Sequence, residues 1–171
     1  MKKFIVLLSV LFFSVAAFAQ RSAYVDTEYM LNKIPAYKEA QDQLDKLTKE
    51  WQLEIQKQID LLDEMYKQYQ VDKVLLSNDM RAKREQQIIE KEKEVKELQR
   101  RRFGPEGDRI EKEKELIQPI QEEVFTAIEA FAKDGNYAFI FDAASSTMTI
   151  IYSDNKYDMS DEILKKLGYI K

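Results

Sequence analysis

A stretch of 68 residues without glycine or proline, 36–103, restricts more than any other feature how this chain can fold. Compact folds need frequent turns, and glycine and proline mark most of them, so this stretch predicts long uninterrupted helix. The residues that fill it are mainly glutamate, lysine, glutamine, leucine and arginine, which favour helix. Charged pairs such as Asp42 with Lys46 and Glu92 with Lys96 lie four residues apart, in the order that supports a helix.

The apolar residues of the stretch recur every three or four positions, which is typical of helices that pack together as a coiled coil. A single helix of this length would extend about 100 Å and bury little apolar surface, so it needs a helical partner. The expected seam begins with Tyr37, Ala40, Leu44, Leu47, Trp51, Ile55, Ile59, Leu62, Tyr66 and Tyr69 and returns through Ile88, Val95, Leu98, Ile110, Ile117, Ile120, Val124, Ile128 and Phe131.

A reversal of direction is best supported at 74–79, because Ser77 or Asn78 can cap a new helix there. Folding back at this point gives two helical arms of similar length and therefore predicts an antiparallel hairpin. One continuous rod is the alternative, since serine and asparagine are weak turn signals. Counting back from the tip places Phe103 level with Trp51, and we expect these two rings to pack across the hairpin.

The returning arm contains the clearest breaks in the helical pattern. The segment 104–107 holds two glycines and a proline, and Pro119 follows further along. A proline ring clashes with the carbonyl group four residues earlier in a helix, so we expect the arm to bend at both places. Pro35 is expected to bend the outgoing arm near its root.

The two chain ends have a different pattern, which is typical of short β-strands. Candidate strands are 23–26, 137–141 and 148–152. We expect the last two to form a hairpin and the first to join them as a third strand. A short helix should follow, capped by Ser160 at its start and ended by Gly168.

These patterns predict an α+β fold that is mostly α, with a long antiparallel helical hairpin arm inserted into a small three-stranded β body. Both chain ends form the body, 20–35 and 134–171, and 36–133 forms the arm, with its tip near 74–80. A body this small buries little apolar surface, so we expect it to self-associate. The residues predicted at that oligomer interface are Val25, Tyr137, Phe139, Phe141, Ile150 and Tyr152.

The first 19 residues have the pattern of a secretory signal peptide. Two lysines precede an apolar run at 4–15, and an Ala-Phe-Ala sequence ends at Ala19. We expect cleavage before Gln20 and a mature protein in the periplasm; an uncleaved membrane anchor is the alternative. Loss of the two lysines takes the formal net charge from −4 to −6.

Composition opposes several classes of function. The chain has no cysteine, which excludes disulfides and thiol catalysis, and no histidine, which removes the commonest general base and metal ligand. No nucleophile motif or phosphate-binding glycine loop occurs, so we expect no enzyme activity, no cofactor and no metal. Nucleic-acid binding is opposed by the negative charge, because phosphate contacts dominate that affinity.

The whole mature chain resembles the Skp/OmpH family of periplasmic outer-membrane-protein chaperones. None of the matching segments is a signature alone, and their order behind a signal peptide makes the resemblance fairly specific. The segments are 24–26, 31–37, 103–107, 119–121, 137–143, 158–162 and 167–168.

The resemblance implies a homotrimer whose β-rich body carries three helical arms around a cavity, where unfolded outer-membrane proteins are held without ATP. Well-known family members are strongly basic, whereas this chain has 17 basic and 17 acidic side chains in 20–104 and 8 against 14 in 105–171. Because the basic charge of those relatives is linked to lipopolysaccharide, we do not carry lipopolysaccharide binding over to this chain.

A surface that holds unfolded barrel strands needs scattered apolar side chains among charges, and no deep pocket. Most seam residues are better explained by packing between the helices than by client contact. Residues beside the seam and near the tip are the better candidates, together with three basic residues that would steer acidic client segments or simply remain solvated. The predicted client-contact residues are Met65, Val74, Leu75, Leu76, Met80, Arg81, Lys83 and Arg84.

The competing interpretation is a structural or adaptor coiled-coil protein of the cell envelope that has no client cavity. It predicts a continuous seam between the helices and specific folded partners. The sparse apolar residues of the returning arm and its breaks favour the chaperone, because a rigid spacer gains nothing from hinges.

Overall fold

The computed structural model describes residues 21–145 and 150–171, so the predicted leader at 1–19 lies outside the described residues. Among these residues the chain forms two compact units, one of 34–123 and one that combines 21–33 with 124–171. The elements in chain order are β1 (Arg21–Val25), α1 (Thr27–Lys33), α2 (Pro35–Asp72), α3 (Asn78–Phe103), α4 (Asp108–Leu116), α5 (Gln118–Asp134), β2 (Tyr137–Asp142), a 3₁₀ turn (Asn155–Tyr157) and α6 (Ser160–Leu167).

The unit 34–123 contains the predicted antiparallel helical hairpin, which the structure confirms. Helix α2 is unbroken over 38 residues and packs against α3. The residues that α2 and α3 bury come from the seam that the apolar spacing predicts, which excludes a single continuous rod in this region. These buried residues are Ala40, Leu44, Ile55, Ile88, Val95 and Leu98.

Local chemistry explains where each of the two hairpin helices begins. Pro35 occupies the first position of α2, where its missing N–H would have no partner in any case. The turn between α2 and α3 ends at Ser77, whose hydroxyl accepts a hydrogen bond from the Met80 N–H at 3.3 Å and caps α3. Asp79 lies in the first turn of α3, at the positive end of the helix dipole.

The returning side of the hairpin is broken where the glycines and prolines predict. The rings of Trp51 and Phe103 pack edge to face with centroids 6.4 Å apart, so the predicted contact across the hairpin is confirmed. A second interruption falls at Ile117, and Pro119 lies in the first turn of α5, where proline is tolerated. Ile117 packs with Ala40 and Leu44 at the root of the hairpin.

The second unit is built around a parallel pair of strands, β1 and β2. Ser22 pairs with Phe139 and Tyr24 pairs with Phe141, and the whole of 26–136 is the connection that parallel pairing requires. One face of β1 belongs to the core of this unit. The residues buried in the unit include Ala23, Val25, Met30, Leu31, Ile163 and Leu164.

The predicted third strand is not confirmed, because the described residues contain two strands. Of its proposed residues, 148–149 lie outside the described residues and 150–152 are not in a strand. Asp158 takes the place beside β1 through a bridge to Tyr24, whose carbonyl accepts the Met159 N–H at 2.9 Å. Asp154 also caps the 3₁₀ turn that follows, and the chain in this turn is not extended as a strand would be.

Ser160 does not cap α6 as its position suggested; it is the first residue of the helix. Its buried hydroxyl accepts the Asp26 N–H at 2.9 Å and donates to Asp158 at 2.6 Å, so it ties α6 to the start of α1. Gly168 ends α6 with φ of +82°, a left-handed conformation that favours glycine, and its predicted role as a stop is confirmed.

Candidate functional site

The turn of the hairpin exposes a group of large apolar side chains, which we name the tip patch: Val71, Val74, Leu75 and Met80. Their exposed fractions are 72%, 77%, 84% and 58%. Side chains this exposed gain nothing from the packing of this chain, and their concentration in ten residues makes a surface that fits an apolar partner. Isolated exposed leucines are ordinary, so the clustering is what carries the argument.

The predicted client-contact residues divide into two groups by exposure. Val74, Leu75 and Met80 are open to solvent, as a contact role requires. Met65 and Leu76 are half-buried, so only part of each side chain is accessible. The sequence interpretation did not include Val71, although its position outside the predicted seam was the available signal.

The three basic residues near the tip have different environments. Arg81 donates a hydrogen bond to the carbonyl group of Lys73 at 2.9 Å and so closes the end of α2. That contact gives Arg81 a structural role in the turn. Lys83 is exposed and Arg84 is half-buried on α3.

The seam beside the tip is closed by polar contacts more than by apolar ones. The hydroxyl groups of Tyr66 and Tyr69 donate to the carboxylates of Glu92 and Glu85, which raises the pKa of both tyrosines above 10.0. A hydrogen bond to the carboxylate is the main cause, because it stabilises the protonated phenol. These contacts hold the two helices together while leaving the tip short of apolar packing.

Three further apolar side chains project from the hairpin away from its seam. Leu53 and Leu61 on α2 and Ile89 on α3 are 63%, 49% and 57% exposed. Leu53 lies eighteen residues, or five helical turns, before Val71 and so shares one line of α2 with the tip patch. The sequence interpretation did not identify these exposed residues, although apolar side chains that lie outside the heptad seam could have indicated them.

The second unit exposes an aromatic face on β2, which we define as Phe139 and Phe141. Their rings stack with centroids 6.1 Å apart, and they are 58% and 37% exposed. Successive strand residues point to opposite faces, which is why this pair lies on the side away from the buried Ala23 and Val25. The predicted interface residues Phe139 and Phe141 are therefore brought together.

The other predicted interface residues lie around this face, with one exception. Tyr137, Ile150 and Tyr152 line an open cavity of about 830 Å³ together with Phe141. Tyr152 is 85% exposed, whereas Val25 is 2% exposed and belongs to the core of its own chain. That burial removes Val25 from the surface that a second copy could reach.

The Tyr137 ring is also held inside its own unit. It stacks on the Phe131 ring at 5.6 Å, and the Arg21 guanidinium lies 4.4 Å from its centroid. Its hydroxyl accepts a hydrogen bond from Arg21 at 2.9 Å. Tyr137 therefore supports the cavity wall more than it offers new surface.

Residues 21–145 and 150–171 contain neither a membrane-spanning helix nor a metal-binding cluster. No helix there is long and apolar enough to cross a membrane. No group of three or more acidic residues there is arranged to hold a metal ion.

Comparison with protein families finds that residues 21–167 match the family described as outer membrane protein (OmpH-like). Among solved structures, the chain is similar to a candidate outer membrane chaperone (OmpH-like) from Caulobacter crescentus, with a TM-score of 0.66 and 12% sequence identity. The alignment covers 86% of this chain and 83% of the other. At this identity the likeness concerns the fold. Comparison with curated protein sequences found no match.

Proposed function

This chain belongs to the OmpH-like outer membrane protein family, and we propose that it is an ATP-independent holdase chaperone of the periplasm. Its clients would be unfolded outer-membrane proteins, which it would shield from aggregation by contacts with its helical arm. We assign client contact to 36–133 and self-association to 20–35 and 134–171. The exposed tip patch is the single observation that carries this proposal.

The chemistry of the tip patch suits a client that has no fixed structure. Unfolded barrel strands present apolar side chains at every second position, and small separate apolar contacts can accept many such sequences. Met80 adds an unbranched, polarizable side chain that adapts to different partners. The scattered residues Leu53, Leu61 and Ile89 extend the same kind of surface along the arm.

The size of these contacts supports the use of several arms on one client. Burying one leucine or methionine side chain stabilises a complex by about 1.5–3 kcal/mol. Association itself costs about 4–15 kcal/mol in lost freedom, so one tip patch would hold a client weakly. Arms joined in one assembly share a high effective concentration, which converts weak contacts into useful avidity.

We infer that the arms are joined as a homotrimer through the aromatic face and the cavity beside it. Phe139, Phe141, Ile150 and Tyr152 supply apolar surface, and in the described residues β2 is paired with β1 alone. An unpaired strand edge with exposed aromatic rings is a ready surface for a second copy. The trimeric number itself follows from the family resemblance.

A structural or adaptor coiled coil of the envelope remains the second candidate, and the unbroken 38-residue α2 is what favours it. Such a protein would use its helices as a spacer and would bind folded partners. The two functions differ in what happens to an unfolded outer-membrane protein, which a spacer would leave to aggregate.

The test is aggregation of a urea-unfolded outer-membrane barrel on dilution, followed by turbidity, with and without the mature protein at three chains per barrel. The holdase proposal expects turbidity to be suppressed. The variant with Leu75, Leu76 and Met80 all replaced by serine should lose most of the suppression while keeping its helicity and its mass. Phe125→Ser is the control for loss of an exposed apolar side chain: Phe125 is 67% exposed and, although it falls within 36–133, it belongs to the second unit and not to the hairpin.

Unchanged turbidity with the unmodified protein would reject the holdase and leave the spacer. Suppression that survives the triple replacement would reject the tip patch as the contact surface. Loss of the assembled mass in that variant would show that the tip residues hold the structure together.

A further inference from the structure

The break between α3 and α4 is closely packed, although the helix is interrupted there. The Gly104 N–H donates to the Arg100 carbonyl at 2.7 Å, and the Gly107 N–H donates to the Gly104 carbonyl at 3.0 Å. A β-carbon at Gly104 would lie 2.4 Å from the Arg100 carbonyl oxygen, and one at Gly107 would lie 2.8 Å from that of Arg101. Both positions therefore require glycine, because the backbone folds tightly on itself.

One arginine of α3 beside this break, Arg102, contacts the two neighbouring helices α2 and α4. The Arg102 guanidinium donates to the Glu54 carboxylate through Nε at 3.1 Å and Nη2 at 2.9 Å, which joins α3 to α2. Through Nη1 it donates to the carboxylate of Asp108, the first residue of α4. Arg102 lies in the last turn of α3, so its contact with Asp108 spans the broken segment between α3 and α4.

Aromatic contacts surround the same arginine. The carbon at the centre of its guanidinium lies 5.4 Å from the centroid of the Trp51 ring, within the range of a cation–π contact. Phe103 also packs edge to face with the Trp51 ring. The Arg102 side chain is 23% exposed, so these contacts are shielded from solvent more than a surface ion pair would be.

The electrostatics of the cluster agree with this geometry. Partial burial alone would lower the pKa of Arg102, but hydrogen bonds to Asp108 and Glu54 outweigh it and raise the pKa. Charge-assisted hydrogen bonds of this kind are about twice as strong as neutral ones. Arginine is suited to the position because its planar group can meet two carboxylates at fixed angles.

Helix α3 is the element whose attachment depends most on this cluster. It is separated from its neighbours along the chain by the turn after α2 at one end and by the break at the other. The residues that it buries are Ile88, Val95 and Leu98, and hydrogen bonds of Tyr66, Tyr69 and Lys91 add polar contacts between α3 and α2. A helix with two interrupted ends and few buried residues is a natural unit of local opening.

We propose that Trp51, Glu54, Arg102, Phe103 and Asp108 form a clasp that decides whether α3 stays packed on α2. Release of the clasp lets α3 lift away about the break while the other helices stay folded. Opening would uncover the apolar seam for a partner, and this last consequence rests on the proposed holdase function. The clasp itself holds whether or not the protein binds clients.

The test is hydrogen–deuterium exchange of the full mature protein, read peptide by peptide and without any client. Arg102→Gln removes the charge and both carboxylate contacts, and should speed exchange in α3 about tenfold. Exchange in α6, which lies in the other unit, should stay unchanged. Arg101→Gln is the matched control, since Arg101 is the neighbouring residue and is exposed; it should leave exchange in α3 as it was.

The single tryptophan of the chain gives an independent signal. Quenching of Trp51 fluorescence by acrylamide should rise in Arg102→Gln and stay unchanged in Arg101→Gln. The double variant Glu54→Gln with Arg102→Gln should exchange no faster than Arg102→Gln alone, because the two residues act through one contact.

Two results would overturn the clasp. Equal exchange in Arg102→Gln and Arg101→Gln would show that the cluster does not hold α3. A uniform increase over both units would show a general loss of stability in place of a local joint. If Arg102→Gln lowers the helicity of the whole protein, Glu54→Gln is tested in place of Arg102→Gln, because the Glu54 replacement leaves Arg102 paired with Asp108. The clasp requires that Glu54→Gln speed exchange in α3 and in no other helix.

Discussion

At the scale of single residues, the seam near the tip shows how tyrosine can replace an apolar contact between helices. Tyr66 and Tyr69 keep part of each ring in the seam and place the hydroxyl on a carboxylate of the opposite helix. The arrangement needs a protonated phenol, because the phenolate would face the negative charge of Glu92 or Glu85. The raised pKa of both tyrosines expresses that requirement.

The hairpin should therefore lose stability at alkaline pH for a specific reason. A group whose pKa is raised in the folded state contributes its full stability below the unfolded value, near 10.0, and loses it as pH rises through the folded value. We expect the Tm of the protein to fall more steeply from about pH 10 upward than that of the Tyr66→Phe, Tyr69→Phe double variant. Lysine deprotonation affects both proteins alike, so parallel curves would contradict the prediction.

At the scale of elements, the two ends of α3 have different requirements. Its start needs a side-chain acceptor for a free N–H, which the Ser77 hydroxyl supplies. Its end needs space for a tight backbone, which Gly104 supplies. Together they fix where the returning helix begins and ends, and so which of its residues reach the seam.

Replacement of the helix cap should have a graded effect. Ser77→Ala removes the acceptor for the Met80 N–H and should lower the free energy of unfolding by about 1 kcal/mol. Ser77→Gly should cost only a few tenths, because glycine leaves the N–H open to water. Urea denaturation of the two variants measures the difference, and an equal loss in both would show that the cap contributes little.

The break should be sensitive to a single methyl group. Gly104→Ala places a β-carbon against the Arg100 carbonyl and should lower the free energy of unfolding by about 1–3 kcal/mol. Glu106→Ala is the control, because Glu106 is an exposed residue of the same segment. A Gly104→Ala protein as stable as the control would mean that the break relaxes freely.

At the scale of the whole molecule, the second unit has more apolar surface than one chain covers. The aromatic face lies on the side of the strands opposite the buried Ala23 and Val25, and the open cavity shares Phe141 with it. Exposed aromatic rings that are grouped together on a small unit are typical of a protein–protein interface. Self-association through this unit is what would bring several tip patches to one client.

Charge introduced on the aromatic face should therefore release single chains. Phe139→Asp puts a carboxylate where a second copy would bury it, at a large desolvation cost, and should give monomers that keep their helicity. Mass photometry or sedimentation measures the change. Phe125→Asp, on α5 and 67% exposed against 58% for Phe139, should leave the assembled mass unchanged. Assembly that survives Phe139→Asp would place the interface elsewhere.

Much of the arm could be predicted from the order of the residues alone. The absence of breakers, the apolar spacing and the Ser77 cap are local properties, and each is confirmed. The level of Phe103 against Trp51 follows from counting residues along both helices from the turn, and it is confirmed too. Local properties carry over because helix depends on contacts within a few residues and on one repeating apolar stripe. The exposed leucines outside the seam were missed, because the apolar stripe predicts which residues pack between the helices and does not predict the surroundings of apolar residues that lie off it.

The sequence by itself determined the helices, their reversal and their breaks, and it located the two strands that the described residues contain, whereas the third strand that it predicted is not confirmed. The tertiary structure decided which strands pair and which polar groups meet. In the folded chain β1 pairs in parallel with β2, and Asp158 forms the bridge to Tyr24. Val25 is buried in the core, and Glu54 and Asp108 both contact Arg102 beside one break. Helix rests on neighbours in the chain, whereas strand pairing and ion pairs join residues far apart, whose meeting depends on the whole fold.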